Sequence, residues 1–530
     1  MRCVLVLITA LAGAAHAQVA FESSNLPIVV IDTDGAYIPR EKIPARMSVI
    51  DNGPGERNSL SDPPEAYDGW IGIEQRGSSS SVYPKRQYGI ETRDDEGENL
   101  NVPLLGLPSE NDWVLNGPYA DKTLVRNAIG FHVYRAMGRY ASRVRFVEVV
   151  LDGDYQGVYT LLEKVKRDGD RVDIARLNAD EVSGDDLTGG YIVQIDRPNA
   201  PGWYSAYHPE DSTASVFYQL RTPDPDRASP EQVAYIQRWI EGFEDAMAAD
   251  AYSDPVVGYP AYLDVDSFVD YILATEAVFD SDGYRLSTYL HKDKDANNPL
   301  LQAGPAWDHN LALASDVLSI EGYQYDRDFS WSDHEIAFWW PKLAAEPAFR
   351  AKMVERWVRL RRGPLHTDSL LAYLDGTIGT LSEAQARNFQ RWPIHGVAIY
   401  PSAFVGESYE EDVQHMRDWF VARLAWMDED LKPLVDSTAV PPAPCAPGQQ
   451  APYPNPAQDR VRLRVCTSAP GRATVEAVDV RGRRVAGRKV ILPEGHSEVE
   501  LALEGVAPGI YLLRVVGDAF RAVQRVTVVP

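Results

Sequence analysis

Apolar and polar positions alternate through much of the first third of the chain, the signature of half-buried strands. Ile28-Val29-Val30-Ile31 is a short β-branched run closed by the turn Asp32-Thr33-Asp34-Gly35. Tyr67 to Ile73, Tyr88 to Thr92, Val144 to Leu151 and Val158 to Leu162 continue the pattern. Asp152-Gly153-Asp154-Tyr155-Gln156-Gly157 joins the last two as a hairpin connection. One predicted helix interrupts, around Asp121 to Met137. After about Leu263 the apolar spacing becomes helical. Ser267-Phe268-Val269-Asp270 has capping-box form, and Tyr271, Ile272, Ala274, Thr275 and Val278 follow on one face. Glu346 to Arg361, Asp368 to Ile378, Ser382 to Arg391 and Ser408 to Asp430 are further predicted helices. The last opens Ser408-x-x-Glu411 and aligns Val413, Met416, Phe420, Leu424 and Met427. A β-rich half followed by a helix-rich half predicts an α+β domain, an arrangement that allows two lobes with a cleft between them. No internal repeat of solenoid period is present.

The pattern breaks between Ser437 and Asp459. Seven prolines and no charged residue before Asp459 predict an extended linker over 436–458. Beyond it short alternating runs return: Val461 to Val465, Ala473 to Val478, Glu498 to Leu501, Tyr511 to Val516 and Val523 to Val529. Arg481-Gly482-Arg483, Pro493-Glu494-Gly495 and Ala507-Pro508-Gly509 separate them. Strands at this spacing predict a small all-β sandwich over 459–530.

Charge divides at the same place. The 530 residues carry 77 Asp+Glu against 52 Lys+Arg, a formal charge of −25. Residues 451–530 hold 12 basic and 8 acidic residues, so removing their +4 and the +1 of Arg2 leaves −30 for residues 3–450. So acidic a chain is a poor partner for nucleic acid or anionic membranes, which attract Lys/Arg surfaces. At the amino end, Met1-Arg2, an apolar stretch from Cys3 to Gly13 and Ala15-His16-Ala17 predict a secretory signal peptide over 1–17. No later apolar run is long enough for a membrane span. Cys3 leaves with the signal, and Cys445 and Cys466 remain as a disulfide or as two free thiols. Neither they nor the scattered histidines have zinc spacing.

Candidate chemistry gathers in two acidic turns. Glu276-Ala277-Val278-Phe279-Asp280-Ser281-Asp282-Gly283-Tyr284-Arg285 follows the Ser267 helix. Gly304-Pro305-Ala306-Trp307-Asp308-His309-Asn310 comes after an intervening strand. Phosphoryl transfer needs one carboxylate to orient the attacking hydroxyl and a second to hold Mg²⁺ against the phosphates. Acidic turns also occur in any α+β protein, so the spacing alone leaves both readings open. Ser287, five residues after Asp282, stands where an Asn would be the stronger second metal ligand. Arg76-Gly77-Ser78-Ser79-Ser80-Ser81-Val82-Tyr83-Pro84-Lys85 is either a donor-rich phosphate cradle or a surface loop. Glu163-Lys164-Val165-Lys166-Arg167 is a charged strand end. Asp293-x-Asp295-x-Asn297 opens like a calcium loop, but Asn298 and Gly304 stand where Gly and Glu are required. It reads as a solvated turn. GxSxG, HExxH, GxxxxGK[ST] and GxGxxG are absent from the sequence.

In combination, these segments resemble the CotH kinase family, named for spore-coat proteins. The resemblance rests on Arg76-Gly77-x-Ser79 with Pro84-Lys85-Arg86-Gln87-Tyr88, on Leu104 to Pro108 with Asn111 to Pro118, and on Asp121 to Asn127. It continues through Asp152-Gly153-x-Tyr155-Gln156-Gly157-Val158-Tyr159 with Glu163-Lys164, Gly189-Gly190-Tyr191-Ile192, and Asp282-Gly283-Tyr284-Arg285 with Gly304-Pro305-x-Trp307-Asp308. It implies a two-lobed atypical protein-kinase-like domain over 18–435 that uses ATP and Mg²⁺ or another divalent cation. The expected acceptors are Ser/Thr hydroxyls of secreted or surface proteins. Asp282 is then the catalytic Asp, Asp308 the metal ligand with Ser287 at the second metal position, and Lys85 and Ser79 the phosphate contacts. Leu162 to Lys164, including Glu163, would lie beside adenine.

The tail, with Tyr453-Pro454-Asn455-Pro456-Ala457, Val478 to Val485 and Leu503 to Val515, resembles the C-terminal sorting domain of type IX (Por) secretion substrates. That implies Sec export, passage across an outer membrane by the type IX machinery, and a surface or extracellular destination. Besides the kinase, two other functions fit the residues. One is a non-catalytic (pseudokinase) structural or adhesive surface protein, since ATP is scarce outside cells and Ser287 weakens the metal site. The other is a polysaccharide-binding or hydrolytic surface protein built on Trp331, Trp339, Trp340 and the acidic turns.

Overall fold

The structure is a computed structural model that describes residues 19–207, 215–329, 332–432, 457–467, 471–479, 483–492, 495–503, 505–517 and 521–529. The expected signal peptide, the proline-rich segment through residue 456, Cys445 and Trp331 lie outside them. The chain divides into two compact units, Met1–Pro433 and Leu434–Pro530.

In chain order the first unit contains β1 (Ser23–Ser24), β2 (Ile28–Asp32), β3 (Ile43–Ile50), β4 (Asn58–Ser59), β5 (Tyr67–Arg76), β6 (Gln87–Arg93), β7 (Asp112–Asn116), α1 (Arg126–Ala136), β8 (Val144–Leu151) and β9 (Asp154–Glu163). Seven of these strands close into a barrel in the order β2-β3-β5-β6-β7-β9-β8. Every pairing is antiparallel except the closing one between β2 and β8. Ile71, Ile73, Ile90, Leu115, Val147, Val149 and Leu161 fill the interior. Closure removes the exposed edges that an open sheet of this size would carry.

β9 is buried on both faces. Tyr159 and Leu161 point into the barrel, whereas Val158 and Leu162 belong to the core that the helices cover. That is why its alternation fades in the sequence.

The second half adds β10 (Tyr191–Ile195), β11 (Gly202–Tyr204), β12 (Phe217–Thr222), α2 (Pro230–Ala248), α3 (Val265–Val278), β13 (Thr288–Lys292), β14 (Leu301–Ala303), α4 (Trp339–Ala345), α5 (Pro347–Arg361), α6 (Thr367–Leu381), α7 (Ala384–Arg391) and α8 (Tyr409–Asp430). Its antiparallel sheet runs β11-β12-β10-β13-β14. The unit is therefore α+β, as the pattern predicted.

Several boundaries differ from the sequence expectation. α2 starts well before Leu263, capped by a reciprocal Ser229–Gln232 box with Pro230 at its first position. α3 is capped by the Asp264 carboxylate, which accepts from the Ser267 amide. Ser267 lies inside the first turn and gives its hydroxyl to Asp264 O instead. Before α1, residues 121–125 form a turn held by Asp121 rather than helix. Asp293 is not solvated; its carboxylate accepts from the Ala175 amide. Trp339 and Trp340 are fully buried, so they offer no glycan platform. No helix among the described residues is long and apolar enough to cross a membrane.

α7 fastens the helices to the barrel. Asn388 Oδ1 accepts from the Val158 amide (3.1 Å) and from Lys85 Nζ (2.7 Å). Trp392 Nε1 donates to Gln156 O, and Arg387 forms an ion pair with Glu148. Gly157, at φ +93°, allows this approach: a Cβ there would lie 2.5 Å from Asn388 Oδ1.

The second unit contains β15 (Arg460–Thr467), β16 (Gly471–Val478), β17 (Arg484–Leu492), β18 (Gly495–Ala502), β19 (Gly509–Gly517) and β20 (Arg521–Val528). A β15-β18 pair and a four-stranded β17-β16-β19-β20 sheet share one apolar core that includes Val461, Leu463, Val475, Leu501, Leu513 and Val526.

The buried Glu276–Arg423 pair joins α3 to α8, both side chains being fully enclosed. Arg423→Met, which strands the Glu276 carboxylate, is expected to lower the unfolding free energy by about 3–5 kcal/mol. Urea denaturation measures this. The Arg423→Met/Glu276→Gln double variant, which keeps an acceptor but no charge, should recover a large part of the loss.

Candidate functional site

The site begins where α3 ends. Phe279 caps the helix in the left-handed conformation, φ +56°. The chain then turns sharply through Asp280-Ser281-Asp282-Gly283. A Cβ on Gly283 would lie 2.5 Å from Thr275 Cγ2, so this close return needs glycine. Tyr271 Oη donates to Gly283 O and Ser281 Oγ to Asp316 Oδ2. β13 and β14 lead to the second turn, where Asp308 is also left-handed (φ +65°) and opens the short helical turn His309–Leu311.

The two turns meet. Asp280 Oδ1 accepts from the Asp282 amide at 3.2 Å, and His309 Nδ1 lies 2.9 Å from Asp280 Oδ2. The backbone adds a bond from Leu313 N to Val278 O, and Arg126 of α1 holds the carbonyls of Ala312 and Leu313. With its amide turned so that nitrogen faces Asp308, Asn310 would donate to Asp308 Oδ1 at 2.7 Å. Asp282 accepts from Arg285 at 2.5 Å and remains 22% exposed.

Burial pushes the Asp282 carboxyl up to about 7, and Asp280 and Asp308 add to the rise against the opposing Arg285 and Arg197. Burial likewise lifts Asp308 to about 6, with Asp280 and Asp196 adding and Arg76 and His309 opposing.

Arg76 ends β5 with its guanidinium 5.8 Å from the Trp307 ring, and its charge acts on Asp308. Lys164 lies within electrostatic reach of Arg76 and donates to Asp112 Oδ1 at 3.3 Å. Ser79 is exposed at the start of the short turn Ser79–Val82. Ser287 is half-buried and left-handed (φ +53°) at the entry to β13.

Lys85 and Glu163, expected beside the nucleotide, are enclosed instead. The Lys85 ammonium donates to Val158 O (2.6 Å) and Asn388 Oδ1 (2.7 Å), and the carboxylates acting on it are Asp121 and Glu148. The Glu163 carboxylate is fully buried and held by the Arg143 guanidinium and backbone amide. A side chain whose polar atoms are already satisfied inside the fold has little capacity left for a ligand.

Asp280, Arg76 and Asn310 were present in the sequence segments without being singled out. Asp280 was signalled by its i,i+2 spacing from Asp282.

Among the described residues no group of three or more His, Cys, Asp or Glu side chains gathers to hold a metal. Mg²⁺ does not require such a cage; one or two carboxylates with phosphate and water oxygens suffice. The raised Asp308 carboxyl, crowded by Asp280 and Asp196, has the charge excess that a divalent cation would neutralise. Asp308 supplies one such carboxylate.

A protein-family model described as CotH kinase protein matches residues 73–427. That is more than half the chain, and the chain belongs to this family. The segment 451–529 matches the secretion system C-terminal sorting domain, the type that directs export by type IX secretion to the cell surface or extracellular space. No curated protein matches the chain.

The raised carboxyls give a definite pH dependence. Both folded values lie above the unfolded value of about 4, so the native state binds these protons more tightly and stability falls as pH rises from about 4 to about 7. Asp282→Asn removes one share of that loss. It should be more stable than wild type at pH 8 by on the order of 1–3 kcal/mol, and the difference should shrink below pH 4. Urea denaturation at the two pH values checks both the sign and the window.

Proposed function

We propose that this chain is an exported atypical protein kinase that moves the γ-phosphoryl group of ATP to a Ser or Thr hydroxyl of a secreted or surface protein. The observation that carries the reading is the joining of the two acidic turns through Asp280. On this view the barrel and the helix-rich half act as two lobes around the nucleotide, and the sorting domain is a small sandwich.

Asp282 accepts the proton of the attacking hydroxyl. Its carboxyl near 7 suits a base working close to neutral pH. Asp308 would hold Mg²⁺, and Asn310 keeps that carboxylate oriented. The bound ion would supply charge neutralisation between phosphate oxygens. Ser287 offers only a neutral hydroxyl, so most of the metal binding falls to Asp308. Arg76, whose charge acts on Asp308, and Lys164 near it are cations that would meet the phosphates, with the Ser79 loop following Arg76 in the chain. Lys85 and Glu163 then contribute by fixing the barrel.

A second reading, a non-catalytic surface protein, is favoured by one observation: Arg285 already occupies Asp282 at 2.5 Å.

Two measurements separate them. Mg·ATP should raise the melting temperature of the wild type and not of Asp308→Asn. Transfer of radiolabelled phosphate from ATP, to the chain itself or to co-exported proteins, should fall by about 10²–10⁴ in Asp282→Asn while the Mg·ATP shift persists. Absence of an ATP-dependent shift in the wild type would sink the kinase reading.

A further inference from the structure

The link between the two acidic turns is more specific than packing requires. Several bonds stitch the segment after Asp308 to the end of α3, among them Leu313 N to Val278 O and Ser281 Oγ to Asp316 Oδ2. These bonds act at some remove from the two carboxylates. Asp280 is different. One of its oxygens holds the backbone amide of Asp282, and the other holds the ring of His309, the residue after Asp308.

His309 is itself firmly placed. It is 3% exposed, with the Phe131 ring edge-on at 5.2 Å between centroids. Gly130 of α1 lies against the ring, and a Cβ at that position would collide with it. A glycine in the middle of a helix costs about 1 kcal/mol relative to alanine. Here the missing side chain is the space that the imidazole fills. A carboxylate can only accept hydrogen bonds, so the Asp280 contact selects the tautomer with hydrogen on Nδ1. Nε2 is buried without a partner. Asp280 is therefore the polar tie of this ring.

We infer that Asp280 is a positioning residue: through His309 it sets the Asp308 turn, through the Asp282 amide it sets the Asp282 turn, and one carboxylate thereby fixes the spacing of base and metal ligand. The inference rests on the kinase reading above. It assigns to Asp280 and His309 no contact with nucleotide, metal or acceptor. Residues that orient a metal-binding side chain from outside its coordination shell typically change affinity or activity 10–100-fold when lost.

The test uses the full chain, with Mn²⁺ and ATP as probes. Electron paramagnetic resonance of free Mn²⁺ gives the dissociation constant of Mn²⁺·ATP, and phosphate transfer at saturating Mn²⁺·ATP gives kcat. Asp280→Ala frees both turns, so affinity should weaken by about tenfold or more and kcat should fall as well. His309→Phe keeps an aromatic ring against Gly130 and Phe131 and cuts only the Asp308 side. It should weaken Mn²⁺·ATP binding by about tenfold while lowering kcat much less. Asp280→Asn, which can rebuild both bonds with the other His309 tautomer but carries no charge, should restore most of kcat and only part of the affinity.

A purely structural role would move melting temperature without this split between affinity and turnover, and without rescue by Asn. If Asp280→Ala does not fold, His309→Phe decides. Wild-type binding with unchanged affinity in folded Asp280→Ala or His309→Phe overturns the inference alone. A wild type that binds no Mn²⁺·ATP overturns the kinase reading and the inference with it.

Discussion

The first unit depends most on the ion pair buried between α3 and α8. Glu276 and Arg423 are both fully enclosed, and each is over-determined. The Glu276 carboxylate accepts from the amides of Gln324 and Tyr325 as well as from Arg423. The Arg423 guanidinium also donates to the carbonyls of Glu276, Ile320 and Gly322, and stacks over Phe279 with its centre 4.2 Å from the ring. Buried charges are tolerated when their lone pairs and protons are satisfied in this way. The consequence is local. The helix end carrying Phe279 cannot drift, and the acidic turn begins at the next residue. A site that must hold a carboxyl at a raised pKa needs such a support, because burial of Asp282 would otherwise relax toward solvent.

The second support is α7. Lys85, Asn388, Gly157 and Val158 form one buried knot between the barrel and the helices, with Trp392, Arg387 and Arg391 around it. Two segments that carry the family resemblance, the serine loop ending in Lys85 and the Asp152 to Tyr159 hairpin, meet in this knot. Their glycine and lysine serve a close approach between elements far apart in the chain. The loop's other end, Arg76, is the part turned toward Trp307 and Asp308.

This explains what was legible in the sequence. The α+β class, strands β2, β5, β6, β8 and β9 and the helix capped by Ser408 followed from the apolar pattern, whereas β3 and β7 were not singled out. α2 was missed although Ser229 and Gln232 form its cap. It carries both signals, the capping box and an apolar stripe through Val233, Ile236, Ile240, Phe243 and Met247, in a stretch before Leu263 that the helical reading did not reach. Asp282 and Asp308 were legible as members of two acidic turns, and the structure brings those turns together. Asp280 and His309 were not, since the bond between them spans 29 positions and depends on the space left at Gly130. Lys85 carried the composition of a phosphate ligand, and only its burial against Asn388 separates the two roles.

On the kinase reading, a divalent cation and ATP meet the chain at Asp308, close to Asp282. The most direct measurement is a crystal structure of the full chain with Mn²⁺ and a non-hydrolysable ATP analogue, using the anomalous signal of the metal. The account predicts a manganese peak bonded to the Asp308 carboxylate at roughly 2.1 Å, bridging to the phosphates. Manganese and nucleotide bound away from Asp308, or no ordered metal under saturating conditions, would contradict it.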